Sequence, residues 1–170
     1  RCSRRSASRD RYIAPRKAAI MSVLPKKKKR ATNRSRYKLE KTTVTVIGAG
    51  LAGTEAAWAL ANRGYSVRLC EMKPKKYSPA HKYSGFAELV CSNSLKSSDT
   101  ASACGMLKEE MRYMGSVTMK AAELTKVSAG GALAVNREEF SDAVTDMIRS
   151  HPNIEVINGE VTQFPEKNTV

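Results

Sequence analysis

Between a short β-branched run, Val44-Thr45-Val46-Ile47, and an alanine-rich stretch lies Gly48-Ala49-Gly50-Leu51-Ala52-Gly53. Glycines at the first, third and sixth positions of such a turn admit few architectures. The first permits a tight turn out of a strand. The second lets backbone approach a pyrophosphate with no Cβ in the way, and the third lets a helix pack closely on the strand. The helix that follows offers unpaired N–H groups and the positive end of its dipole to an anion. That helix is expected over Leu51 to Arg63, with Trp58 and Leu60 as its bulky members and Gly64 at the C′ position. A second strand is expected at Ser66 to Cys70, ending at Glu71, 23 residues beyond Gly48. A carboxylate there accepts hydrogen bonds from ribose hydroxyls and disfavours a 2′-phosphate. The pattern predicts a βαβ dinucleotide-binding unit. Its cofactor-binding residues are Gly48, Ala49, Gly50, Leu51, Ala52, Gly53 and Glu71. The glycines do not separate FAD from NAD. The competing reading is a plain turn with Glu71 as a solvated strand end.

The alternation continues downstream. Met72 to Gly85 is a polar loop with Pro74 and Pro79, and Phe86 to Leu95 is mixed. Leu107, Met111, Met114, Ala121 and Leu124 recur at helical spacing. They predict a long amphipathic helix over Met106 to Leu124, with a core-facing stripe and Gly115 as a point of interruption. Ala132 to Val135 is a short apolar run after Gly130-Gly131. Arg137 to Ser150 is a helix with Phe140, Val144 and Ile148 on one face, ended by Pro152. Ile154 to Ile157 is a strand, and Val161 to Phe164 is expected to begin another. Strands alternating with helices predict an α/β fold with a doubly wound parallel sheet, Rossmann-like and incomplete at the C-terminus.

Charge divides the chain. Residues 1–43 hold 16 of the 30 Lys and Arg and 2 of the 16 acids, so the net +14 resides there and residues 44–170 are neutral. Such a basic segment, with Lys26-Lys27-Lys28-Lys29-Arg30 at its centre, is expected to be disordered because it cannot bury enough apolar surface to offset its ordering entropy. It reads as an organellar targeting peptide, as an RNA-contacting arm, or as sequence upstream of a start at Met21 or later. Residues 44–170 read as the N-terminal part of a cofactor domain belonging to a longer protein. The cysteines Cys2, Cys70, Cys91 and Cys104 form no C-x-x-C pair and no zinc-ligand spacing, so no metal site is expected. Their scatter points to a reducing compartment, hence the cytoplasm. No apolar run approaches the roughly 20 residues of a membrane span.

Six blocks carry a family resemblance: VTVIGAGLAGTEAAWALANRG (44–64), EMKPKKYSPAH (71–81), FAELVCSNSL (86–95), LKEEMRYMGS (107–116), AGGALAVNREEFSDAVT (129–145) and HPNIEVINGEVT (151–162). Together they resemble the N-terminal part of the folate-dependent tRNA uracil-5-methyltransferases (TrmFO). The blocks at Phe86 to Leu95 and Ala129 to Arg137 are the specific ones; a generic flavoprotein would share only the first. The resemblance implies an FAD enzyme that forms 5-methyluridine in the tRNA T-loop. The one-carbon unit comes from 5,10-methylenetetrahydrofolate, and the electrons from FAD reduced by NAD(P)H. It also implies that a cysteine thiolate adds to the uracil ring and that Cys91, inside the C-S-N-S motif, takes part in the chemistry; the family's other implicated cysteine would lie beyond Val170. Such a thiol needs a helix N-terminus or a nearby cation, and Lys96 is close in sequence. The opposing reading is a small buried thiol beside Leu89 and Val90. Ser128 stands where the family usually has Pro, and Asn136 where it has Asp. His81 and Asn93 are further candidate contacts to flavin or substrate, each also readable as structural. Two other functions compete: a related flavoprotein acting on the tRNA wobble uridine, which the CSNSL and GGALAV blocks disfavour, and a non-catalytic nucleic-acid-binding fragment driven by the basic tail.

Overall fold

A computed structural model describes residues 42–163. The expectations for the basic segment lie outside the described residues as far as residue 41, as does the end of the strand expected at Val161 to Phe164. Val161 to Gln163, which are described, form no strand.

The first unit forms as its residues demand. Strand β1 (Thr43–Ile47) leads through the glycine loop into helix α1 (Leu51–Asn62), and β2 (Ser66–Glu71) returns parallel to β1. Thr54, Ala57 and Ala61 are the buried residues of α1; their small side chains let the helix lie close to the sheet. The helix ends in a Schellman motif. Gly64, at φ 90°, donates its N–H to Ala61 O at 3.0 Å, and Tyr65 N–H reaches Leu60 O at 3.2 Å.

The stretch expected as one helix is two. Helix α2 (Ala103–Tyr113) stops at a second Schellman motif, in which Gly115 (φ 78°) and Ser116 donate to Arg112 O and Met111 O, both at 3.0 Å. The side chain of Ser116 then caps α3 (Val117–Leu124) by accepting from Met119 N–H. The interruption falls at Gly115 as the sequence indicates. It also breaks the predicted stripe. Ala121 is buried and Met111 packs on the core, but Leu107, Met114 and Leu124 are exposed.

The sheet also departs from expectation. Three strands are parallel, in the order β1-β2-β6, with β6 (Ile154–Asn158) reached through α4 (Arg137–Ser150). The apolar run at Ala132–Val135 is instead β5, the centre of a separate antiparallel sheet between β3 (Ser94–Ser97) and β4 (Lys126–Val127). The link from β4 to β5 is a short turn through Gly130 (φ 59°). A turn of that length can join only antiparallel partners, since a parallel pair needs a crossover of about a dozen residues. The α/β class and the parallel Rossmann-like sheet hold, and the uniform alternation does not.

Helix α4 anchors both parts. Phe140, Val144 and Ile148 are fully buried on one face, as their spacing predicts. Asn136 caps its N-terminus, its Oδ1 accepting from the N–H groups of Glu138 and Glu139. An aspartate could cap in the same way, so the Asp-to-Asn departure preserves this contact.

Gly115 meets no obstruction to a Cβ, so its positive φ alone sets the cost of substitution. Gly115→Ala should lower the unfolding free energy by about 1–2 kcal/mol. Gly131→Ala, with the same open space and no positive φ, should leave stability unchanged or raise it by less than about 1 kcal/mol. Denaturant titration of both variants measures the contrast.

Candidate functional site

The glycine loop lies at the carboxyl ends of β1 and β2, where parallel α/β sheets bind ligands. Each glycine now has a measurable role. Gly48 carries the turn at φ 91° and donates its N–H to Cys70 O at 2.7 Å. Gly53 admits no Cβ unless the backbone shifts: a Cβ there would lie 1.8 Å from Gly48 O and 3.7 Å from a methyl carbon of Val46. Its close approach is thus chiefly to the loop's own carbonyl, and only secondarily to the strand. Gly50 is the informative case. Its φ is −74°, and a Cβ built on it meets nothing within 4 Å. No internal contact requires glycine at that point, whereas a ligand brought against the backbone would. Gly50 is also the N-cap of α1, with no side-chain cap and no acid in the first turn. Leu51 and Ala52 open the helix with their side chains exposed. The helix end keeps its N–H groups and positive dipole available to an anion.

Glu71 is not a solvated strand end. It is 6% exposed, and its Oε2 accepts from Ala49 N–H at 2.6 Å while Oε1 accepts from Lys73 N–H at 2.9 Å. The carboxylate therefore builds the loop as well as facing the cleft. A carboxylate has about four acceptor positions, so two bonds to backbone leave capacity for ribose hydroxyls. The cleft itself has a volume of about 360 Å³ and is lined by Gly48, Gly50, Glu71, Lys73, His81 and Glu88 among others.

Lys73 and Glu88 carry no signal in the sequence that marks them as site residues. Lys73 is 5% exposed, and its ammonium donates to Gly85 O at 2.5 Å and Tyr83 O at 3.1 Å, with Glu88 Oε2 at 3.6 Å. Glu88 Oε1 accepts from the N–H groups of Lys82 and Tyr83 at 3.0 and 3.1 Å, and its Oε2 is buried without a hydrogen bond. Burial works against the Glu88 charge. The two N–H donors, with the charges of Lys73 and His81, outweigh it and hold the carboxyl below the usual carboxylate range. Both residues sit in segments too irregular for periodicity to interpret. The nearest local hint is a charged pair flanking Pro74 and Phe86.

Cys91 is exposed. The buried-thiol reading is therefore wrong: Val90 beside it is exposed too, and only Leu89 turns inward. Cys91 follows a segment tied down at Ala87, whose N–H reaches Ala49 O at 2.8 Å, and at Leu89, whose carbonyl accepts from the Arg137 guanidinium at 3.2 Å. It sits in a turn and not at a helix N-terminus, with Ser92 Oγ accepting from Ser94 N–H. Among the described residues no hydrogen bond joins it to Lys96, whose φ is 71°. Cys70 differs: burial raises its thiol pKa against the opposing charge of Arg68. Of the other candidates, His81 reaches the cleft, its Nδ1 2.6 Å from Ser78 Oγ. Asn93 does not line that cleft; its backbone carbonyl pairs with Val135 N–H at the sheet edge. Ser128 is exposed in the β4–β5 turn. Among the described residues no cluster of His, Cys, Asp and Glu could hold a metal ion, and no helix is long and apolar enough to cross a membrane.

Residues 43–170 match the family described as glucose inhibited division protein A. The chain belongs to that family. Within the glucose inhibited division protein A family, curated relatives share more than half their residues with it over the matched stretch. A protein of Bacillus subtilis (strain 168) named methylenetetrahydrofolate–tRNA-(uracil-5-)-methyltransferase TrmFO is 57% identical over 132 residues, covering 78% of this chain and 30% of the relative. Proteins of the same name from Acetivibrio thermocellus and Geotalea uraniireducens (strain Rf4) are 59% and 58% identical, over 73% and 76% of this chain and 28% and 30% of their own lengths. The chain thus spans about 30% of the curated relatives it matches.

Two consequences of the geometry are measurable. Gly53→Ala forces the added methyl into Gly48 O and should cost about 1–3 kcal/mol of stability in denaturant titration. Because the Glu88 carboxyl is held below the pKa it has in an unfolded chain, its contribution to stability is complete above that unfolded value and lost as pH falls through the depressed one. Unfolding free energy should therefore decline as pH falls below the usual glutamate range, less steeply in Glu88→Gln than in the parent.

Proposed function

We propose that the chain is the FAD-binding portion of a methylenetetrahydrofolate–tRNA-(uracil-5-)-methyltransferase, which forms 5-methyluridine in the T-loop of tRNA. The observation that carries this reading is the 57–59% identity to proteins of that name, together with an exposed cysteine in the C-S-N-S motif. The fit to FAD rests on the open space over Gly50, the uncapped start of α1 and the Glu71 carboxylate in the cleft.

In this reading the backbone of Gly48 to Gly53 and the N-terminus of α1 hold the pyrophosphate, and Glu71 accepts from the ribose. FAD, reduced by NAD(P)H, supplies the two electrons that turn the methylene carbon of 5,10-methylenetetrahydrofolate into a methyl group, leaving tetrahydrofolate and oxidised FAD. The Cys91 thiolate adds to C6 of the uracil, which makes C5 nucleophilic toward the one-carbon unit. Loss of the C5 proton then expels the thiolate and restores the ring. Exposure of Cys91 supports this role, since a ring carbon of a large RNA must reach the sulfur. The cytoplasm, or an organelle reached through the basic segment, is the proposed site of action. The wobble-uridine reading lacks a comparable observation, because the curated relatives cited carry the uracil-5 name.

The test is to express the complete reading frame and assay it. A yellow protein with bound FAD that transfers labelled carbon from methylenetetrahydrofolate to tRNA uridine is expected. A colourless protein that methylates from S-adenosylmethionine would overturn the proposal. Cys91→Ser should keep the flavin and lose methyl transfer by at least about a thousandfold, as removal of a nucleophile does. Gly50→Ala should lower the apoprotein's stability by no more than about 1 kcal/mol while weakening FAD binding, because the added Cβ enters space that nothing in the protein fills.

A further inference from the structure

We propose that Lys73 is a positioning residue that couples the cofactor loop to the Cys91 segment, so that filling the glycine loop sets the reactivity of the Cys91 thiol. The inference rests on the FAD reading above and goes beyond it.

The geometry is a closed ring of contacts. Ala49, at the centre of the glycine loop, donates its N–H to Glu71 Oε2 at 2.6 Å and accepts Ala87 N–H at 2.8 Å. One residue thus bonds to both the acid of β2 and the segment leading to Cys91. Lys73 closes the other side. Its backbone N–H holds Glu71 Oε1 at 2.9 Å, and its ammonium holds Gly85 O and Tyr83 O, with Glu88 at 3.6 Å. Glu88 in turn holds the N–H groups of Lys82 and Tyr83. A displacement of Ala49 or Glu71 on ligand binding therefore reaches residues 83–88 by two routes.

The chemistry favours a fixed link over an incidental one. An ammonium that is 5% exposed is stable only while its donors are satisfied, so it cannot release one partner freely. Ala87 is held at φ 49°, which costs a non-glycine residue energy and persists only where surrounding contacts determine it. Phe86 is clamped to α4 at both backbone atoms, its N–H to Thr145 Oγ1 at 2.8 Å and its carbonyl to Ser141 Oγ at 2.5 Å. Cys91 lies two residues beyond Leu89, whose side chain is in the core and whose carbonyl is held by Arg137, so the placing of residues 83–89 sets where the exposed thiol sits.

The test measures alkylation of Cys91 by iodoacetamide in the complete protein, apo and FAD-loaded, by peptide mass spectrometry. Exposed Cys104 on α2 serves as the internal reference. FAD loading should slow Cys91 alkylation relative to Cys104 by about threefold to thirtyfold, the range of a coupling carried through packed contacts. Lys73→Met, compared with the parent at saturating FAD, should reduce that difference to under about twofold, and Lys73→Arg should restore part of it. Glu88→Gln, nearly isosteric, should give an intermediate loss and keeps the proposal testable if Lys73→Met does not fold. An unchanged FAD dependence in a folded, FAD-binding Lys73→Met or Glu88→Gln protein overturns the coupling and leaves the enzyme reading intact. A parent protein that binds no FAD overturns the enzyme reading itself, and the coupling with it.

Discussion

The hydrogen bond from Ala49 N–H to the Glu71 carboxylate is short, buried and charge-assisted. A carboxylate at 6% exposure is tolerable only when its oxygens are occupied by donors. Here the donors are backbone groups of the glycine loop and of Lys73, so the loop cannot relax without leaving a buried charge unpaired. The turn at Gly48, the start of α1 and the end of β2 are thus fixed to one another before any ligand arrives. The site's shape follows from that constraint: a helix end with free N–H groups, open space over Gly50 and a carboxylate facing the cleft.

The same constraint organises what lies around it. Ala49 also receives the Ala87 N–H, which ties the segment leading to the C-S-N-S motif to the glycine loop. Helix α4 supports this from behind, with Phe140, Val144 and Ile148 in the core and Ser141 and Thr145 gripping Phe86. The second, antiparallel sheet carries the segment onward through β3 without entering the parallel sheet. The protein therefore places an exposed cysteine four residues along the chain from a contact with the glycine loop. That is the geometry expected where a cofactor and a large substrate must meet.

Much of this is legible in the residues. The glycine spacing, the β-branched run before it and the acid 23 residues on mark the βαβ unit, because each demands a particular backbone conformation or close approach. The buried face of α4 and the break at Gly115 are legible for the same reason. The stripe Leu107, Met114 and Leu124 does not enter the core, because helical spacing identifies a face but not its destination: Leu107 and Met114 are exposed before the turn at Gly115, and Leu124 after it. The expectation that Ala132 to Val135 joins a parallel sheet fails because a four-residue apolar run has no direction until its partners are known.

The sequence by itself determined the class of fold and the glycine turn and, through its likeness to a family, raised Cys91 as a candidate for the chemistry. These rest on local backbone requirements and on contiguous motifs, which a linear string records. Only the tertiary structure decided that Glu71 is buried, that Cys91 is exposed, and that Lys73 and Glu88 belong to the site at all. The roles of Glu71, Lys73 and Glu88 arise from contacts that cross irregular loops, Glu71 to Ala49, Lys73 to Tyr83 and Gly85, and Glu88 to Lys82 and Tyr83. There no periodicity marks which side chain turns inward, and the cost of an unpaired buried charge is what selects the arrangement.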